Sequence, residues 1–243
     1  MSPGLSLFVT GDTLTGPWVE AWLGAPRFAA YVQAAAGDRG NGLLLYEWNV
    51  QLGQALMRDI AHLEVGLRNA YDAVLSERWP GPTHWLLARD SPATTPLMRT
   101  KGSGAQRRMV DINHRGRTNV ERAIVACGGS AATPGKVMAE LSLGFWRSLT
   151  ANPREQSLWI RYLRHAYPEG TDRREVDEML QRINTLRNRI AHHEPVYAAR
   201  PGQLAPAEAH TEIVAVMRMI APEAAGFVEG NCAVPEVLEA RPC

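Results

Sequence analysis

The sequence predicts an all-α protein, a bundle built from long amphipathic helices. Three observations carry that prediction. Apolar residues recur at steps of three and four almost from end to end, while alternation of period two is scarce. Prolines stand at the starts of these runs and just past their ends. Hydrophobic residues make up 45% of the 243-residue chain against 21% charged, which leaves material for a sizeable core and argues against disorder.

The elements follow in chain order. PRFAAYVQAAAGD begins at Pro26, a suitable first helical residue, and is stopped by Gly37. From Gly42 to Trp79 one amphipathic helix runs to Pro80, its seam formed by Leu45, Trp48, Leu52, Leu56, Ile60, Leu63, Leu67, Tyr71 and Val74. A break is expected near Gly53. Residues 80–104 carry four prolines and form the least regular part. AQRRMVDINHRGRTNVERAIVAC predicts two short helices interrupted at Gly116, and GGSAATPG a linker. KVMAELSLGFWRSLT and REQSLWIRYLRHAY read as helices, the second introduced by Asn152-Pro153. A pivotal helix spans Asp172, its N-cap, to Glu194, where Pro195 ends it, and a last one lies between Pro206 and Pro222.

Bulk composition narrows the function. A net charge of +1 implies neither a nucleic-acid nor a membrane partner by itself, but the charge is unevenly spread. Between Arg99 and Arg122 stand seven Lys/Arg against Asp111 and Glu121; between Pro206 and Glu239 stand six Glu against Arg218. The three cysteines, Cys127, Cys232 and Cys243, show no CxxC spacing, against a disulfide framework or zinc cluster. MSPGLSLFVTGDTL lacks the basic lead and apolar length of a secretory leader, and no apolar run reaches membrane-spanning length. The expectation is a soluble, cytoplasmic protein without membrane contact, metal or cofactor. HHEPVY is not a zinc-binding HExxH, because Pro195 ends the helix, and GGSAATPGK lacks the ending of a phosphate-binding loop.

The stretch INTLRNRIAHHEPVY carries the chemistry. At helical spacing Leu180, Ile183, Arg187, Ile190 and Glu194 share one stripe, which sets Arg187 in a packing seam. A guanidinium there needs a partner. Glu64 on the long helix, beside Arg68 and Asn69, is one; a phosphate arriving from outside is another. Asn188 lies one turn before His192, and Arg189 one turn before His193. Both histidines close a helix C-terminus, where the dipole favours the imidazolium. Capping suffices to explain His193, whereas Asn188 beneath His192 suits a positioned proton carrier as well.

Arg187-Asn188-Arg189-Ile190-Ala191-His192 fits R-x4-H with an asparagine after the arginine, and so resembles the HEPN superfamily of helical proteins, many of them metal-independent ribonucleases. LRNRIAHHEP is similar, more narrowly, to the Abi family of bacterial abortive-infection proteins, with LYEWNVQLGQAL, HLEVGLRNAYDAVL, GKVMAELSLGFWRSL and PRFAAY matching in order. The resemblance spans residues 26–222, with 79–122 a variable basic insertion, 1–25 an N-terminal extension and 223–243 a C-terminal tail.

The resemblance implies an HEPN-like bundle that dimerises about a two-fold axis, two R-x4-H helices sharing one cleft. It implies an endoribonuclease acting in phage defence or as a toxin, restrained by an antitoxin protein or a non-coding RNA; a non-catalytic RNA-binding or regulatory module is the alternative. Arg187, Asn188, His192 and His193 are the expected catalytic set, with His192 as acid and base and Arg187 on the phosphorane. Glu64, Arg68 and Asn69 are expected to support the site. Arg189, Arg107, Arg108, Arg115 and Arg117 are the candidate RNA contacts, although residues 99–122 read equally as a solvated face.

Overall fold

The computed structural model describes residues 16–198 and 201–242, so the expected lack of a leader and the place of Cys243 lie outside the described residues. The chain is 66% helix and 4% strand, with ten α-helices among the described residues. No helix is long and apolar enough to cross a membrane.

Helix α1 (Trp18–Leu23) and α2 (Ala25–Ala34) lead into α3 (Arg39–Arg78), the axis of the fold. Asp38 caps α3 by accepting from the Asn41 N–H at 2.9 Å. At 40 residues α3 is about 60 Å long. Every residue of the expected seam, from Leu45 to Val74, is buried. The helix passes Gly53 without a break: a Cβ there would stand 3.3 Å from Ile190 Cγ2, so the glycine admits a neighbouring helix. Trp79 is extended, as the residue before Pro80 favours, and the helix stops.

The basic middle departs from expectation. A hairpin of β1 (Met98–Lys101) and β2 (Arg108–Asp111) replaces the first of the two short helices, and α4 (His114–Ala126) runs uninterrupted through Gly116. Gly102, at φ 81°, and Gly104, at φ 53°, let the hairpin turn. Asp111 secures its base, accepting from the N–H groups of Leu97 and Asn113 and from Arg117 at 2.7 Å. KVMAELSLGFWRSLT divides at Leu141, extended, into α5 (Pro134–Glu140) and α6 (Leu143–Ser148). Residues 152–166 form short 3₁₀ and π turns in place of one regular helix.

Helix α7 (Arg173–Ala191) starts where expected, with the Asp172 carboxylate accepting from the Arg174 N–H at 2.8 Å. Helix α8 (Pro206–Ile220) fills the last predicted span, and α9 (Pro222–Gly230) and α10 (Val234–Glu239) follow it. The expected C-terminal tail, 223–243, therefore holds packed helices among its described residues. Val228 and Val234 are buried, and α9 and α10 lie on α3 and α8. The acidic C-terminal region thus packs on α3 and α8, and none of its described residues lines the cleft described next.

Candidate functional site

The buried face of α7 is formed by Val176, Leu180, Ile183, Leu186 and Arg189. From Ile183 the seam steps by three to Leu186 and again to Arg189, where a step of four would have reached Arg187. Leu186 takes the core position, and Arg187 is turned onto the flank. The arginine in the seam is Arg189, 5% exposed.

Arg189 closes the helix instead of facing RNA, which corrects the expectation for it. Its Nη2 donates to the carbonyls of Pro195 and Ala198, and its Nε lies 3.8 Å from the Glu194 carboxylate. The backbone ends in a Schellman arrangement: the His193 N–H donates to Ile190 O and the Glu194 N–H to Arg189 O, both at 2.9 Å. His193 supplies the left-handed residue that this motif requires, at φ 55°. It lines an apolar groove of about 300 Å³ with Gly53 and Met57 of α3, away from the Arg187 side. His193 thus terminates the helix through its backbone, and its side chain does not share the cleft of Arg187.

Arg187 and Asn188 line a cleft of about 560 Å³ between α4, α6 and α7. Among the described residues Arg187 has no ion-pair or hydrogen-bond partner, so its guanidinium is free to meet a ligand. Glu64 acts on it only at longer range. Burial raises the half-buried Glu64 carboxyl above its ordinary value, while Arg187, the Leu143 N–H and Arg68 pull it down. Asn69 is exposed and does not line the cleft.

The opposite wall brings Arg115 from α4 and Lys101 from the end of β1. Arg147 and Arg154 line the floor, but both are committed to the fold. Arg147 pairs with Asp177 at 3.1 Å. Arg154 is buried, which lowers its pKa, and donates to Asn113 Oδ1, Ser148 O and Ile112 O at 2.8, 2.7 and 3.1 Å. Amides of Asn119, Gln181, Asn184 and Asn188 complete the lining, and no carboxylate contributes to it. Lys101 also belongs to a shallow depression with Arg107 and Arg108, both exposed, so a basic surface continues from the cleft along the hairpin. Arg117 does not join it: paired with Asp111 and donating to Thr94 O at 2.8 Å, it holds the hairpin base, a correction to its expected RNA contact.

His192 is exposed and caps α7. Gln181, Asn184, Asn188 and His192 follow at steps of three, four and four, so the imidazole continues the amide stripe one turn past the cleft wall. It does not itself line the cleft. Among the described residues no hydrogen bond joins the Asn188 amide to the His192 ring, so Asn188 does not fix that ring as expected. The amide stripe and Lys101 were missed in the sequence, although Gln181-Asn184-Asn188 has legible helical spacing.

Comparison of the chain with family models, with curated proteins and with solved structures gave no match.

Proposed function

We propose that this chain is an HEPN-type endoribonuclease, acting in phage defence of the abortive-infection kind or as a toxin, that binds RNA phosphate in the cleft beside α7. One observation carries the proposal: Arg187, with no ion-pair or hydrogen-bond partner among the described residues, faces a cleft whose other free cations are Lys101 and Arg115 and whose lining contains no carboxylate. Such a lining attracts a phosphodiester and offers none of the charged oxygen ligands that hold a divalent cation.

The chemistry that fits is attack by a ribose 2′-hydroxyl on the adjacent phosphorus. The 2′ oxygen forms the new bond, a base takes its proton, and the P–O5′ bond breaks as an acid protonates the departing oxygen. The products are a 2′,3′-cyclic phosphate and a free 5′-hydroxyl. Arg187 stabilises the charge that builds on the phosphorane through paired N–H donors. His192, one helical turn beyond the cleft wall, carries the protons once RNA spans that distance. One chain offers a single such imidazole, so acid and base together require a second copy related by a two-fold axis. Asn188 and Asn184 then hold the phosphate or the ribose, and the Lys101–Arg107–Arg108 surface positions the flanking strand. Restraint by an antitoxin protein or a non-coding RNA belongs to the same reading.

A second reading, a non-catalytic RNA-binding or regulatory module, is favoured by one specific feature: His192 stands outside the cleft, and the lining itself contains no histidine or carboxylate. The two separate in one experiment. Wild-type protein and His192→Ala are incubated with total bacterial RNA, with and without EDTA, and the ends are mapped. Wild-type cleavage leaving cyclic or 3′-phosphate ends, lost in the variant, is the expected outcome. Equal cleavage by the folded variant would remove His192 from the mechanism, and RNA retained uncut by both would establish the binding module.

A further inference from the structure

Far from the α7 stripe in sequence, three metal-ligating side chains meet at one point. Asp59 of α3 is wholly buried. Its Oδ2 lies 3.1 Å from His210 Nδ1, on α8, and 3.0 Å from Cys232 Sγ, in the connection between α9 and α10. The third edge of the triangle, Cys232 Sγ to His210 Nδ1, is 3.3 Å. None of the three residues lines the cleft.

Hydrogen bonds alone serve this triangle poorly. If the thiol and the imidazole both donate to Asp59 Oδ2, no proton remains for the contact between sulfur and nitrogen. If the thiol donates to a bare Nδ1, that nitrogen's lone pair faces the carboxylate. The arrangement is also not a catalytic relay, because sulfur and carboxylate both address the same ring nitrogen, where a relay uses one nitrogen for each. A single cation at the centre satisfies all three edges. Tetrahedral zinc, with its usual bond lengths to sulfur, nitrogen and oxygen, sets such ligand atoms roughly 3.3–3.6 Å apart, so an opening of about half an ångström at the widest-changing edge suffices.

The surroundings fit the same occupant. Arg58 Nη1 donates to the other Asp59 oxygen at 2.9 Å, holding the carboxylate in orientation, and the Val234 N–H approaches Cys232 Sγ at 3.3 Å. Ligands of a bound metal are commonly supported in this way by donors one shell out. His210 and Cys232 are both half-buried, which leaves an approach from solvent. Thiolate, imidazole and carboxylate together select zinc over magnesium or calcium.

We propose that Asp59, His210 and Cys232 form a zinc site that pins α8 and the α9–α10 connection to α3. Binding releases the thiol proton to solvent and leaves the imidazole neutral, with its proton on Nε2. No sequence motif marks the site, because its ligands come from three separate elements.

The test uses the full chain carrying Cys127→Ser and Cys243→Ser, so that Cys232 is the single thiol. Cobalt(II) chloride is titrated in, and thiolate-to-cobalt charge-transfer absorption is followed. The expected result is saturation at one equivalent, displacement by zinc chloride, and no such absorption when Cys232→Ser is added. Zinc at one equivalent is also expected to slow modification of the Cys232 thiol by roughly tenfold or more and to raise Tm. Absence of the absorption band, with a thiol reaction rate that zinc leaves unchanged, would overturn the proposal. The parent protein decides this alone should the Cys232→Ser chain fail to fold.

Discussion

Replacing Arg187 by alanine should weaken RNA binding in a way that salt exposes, while leaving the fold intact. Three cations reach the cleft without an internal partner, Lys101, Arg115 and Arg187, whereas Arg147 and Arg154 are held by Asp177 and by backbone carbonyls. Each free cation that neutralises a phosphate of a single strand contributes roughly −0.7 to the slope of log K against log salt, so the cleft contributes about −2.1 and the variant about −1.4. Between about 50 and about 200 mM salt the cleft's share of the affinity then falls ~18-fold in the wild type and ~7-fold in the variant. Because Arg187 makes no hydrogen bond or ion pair among the described residues and acts on the half-buried Glu64 only at longer range, the stability cost should stay within about 1 kcal/mol. Fluorescence anisotropy with a short labelled RNA at several salt concentrations reads the slope, and urea melts read the stability. An unchanged slope would show that Arg187 does not meet phosphate, and a large loss of stability would show that it is a structural arginine after all.

Other outcomes follow from the same geometry. Arg189→Ala removes the buried clamp on the Pro195 and Ala198 carbonyls and should cost about 2–4 kcal/mol, a fall in Tm of roughly 4–16 °C, with little effect on the salt slope; an unaltered melt would refute the clamp. The Glu64 carboxyl is raised by burial, so its contribution to stability is present at low pH and is lost as pH rises through its folded-state value. Glu64→Gln stays neutral, and its Tm advantage over wild type should therefore grow from about pH 4.5 upward; a difference independent of pH would contradict that environment.

Much of the fold was legible because one periodicity dominates it. The Leu45-to-Val74 stripe fixed α3, and Asp172 with Pro195 bracketed α7, since capping and proline act locally. What failed was decided by tertiary contact. Neither strand of the hairpin alternates: β1 is exposed throughout, so no apolar period marks it. Gly53 reads as a break in a lone helix and becomes a close approach once Ile190 is beside it. At α7 steps of three and of four from Ile183 are both helical, and spacing alone does not choose between Leu186 and Arg187; the core does. The basic run 99–122 was visible, but its division into free Arg115, Arg107 and Arg108 and committed Arg117 rests on where Asp111 and Thr94 O lie. Arg187 and Asn188, which the structure places in one cleft wall, were legible as candidates. The opposing wall was not, because Lys101 and Arg115 arrive from elements distant in the chain.

In the proposed reaction the RNA supplies its own nucleophile, the 2′-hydroxyl, and a change in the substrate isolates that step. Once a cleavage position is mapped, the same RNA is made with a single 2′-deoxyribose at the nucleotide supplying the attacking oxygen, and binding and cleavage by the wild-type protein are measured side by side. Unchanged binding and loss of cleavage at that bond alone are expected. Cleavage of the deoxy substrate at the all-RNA rate would contradict the proposed reaction.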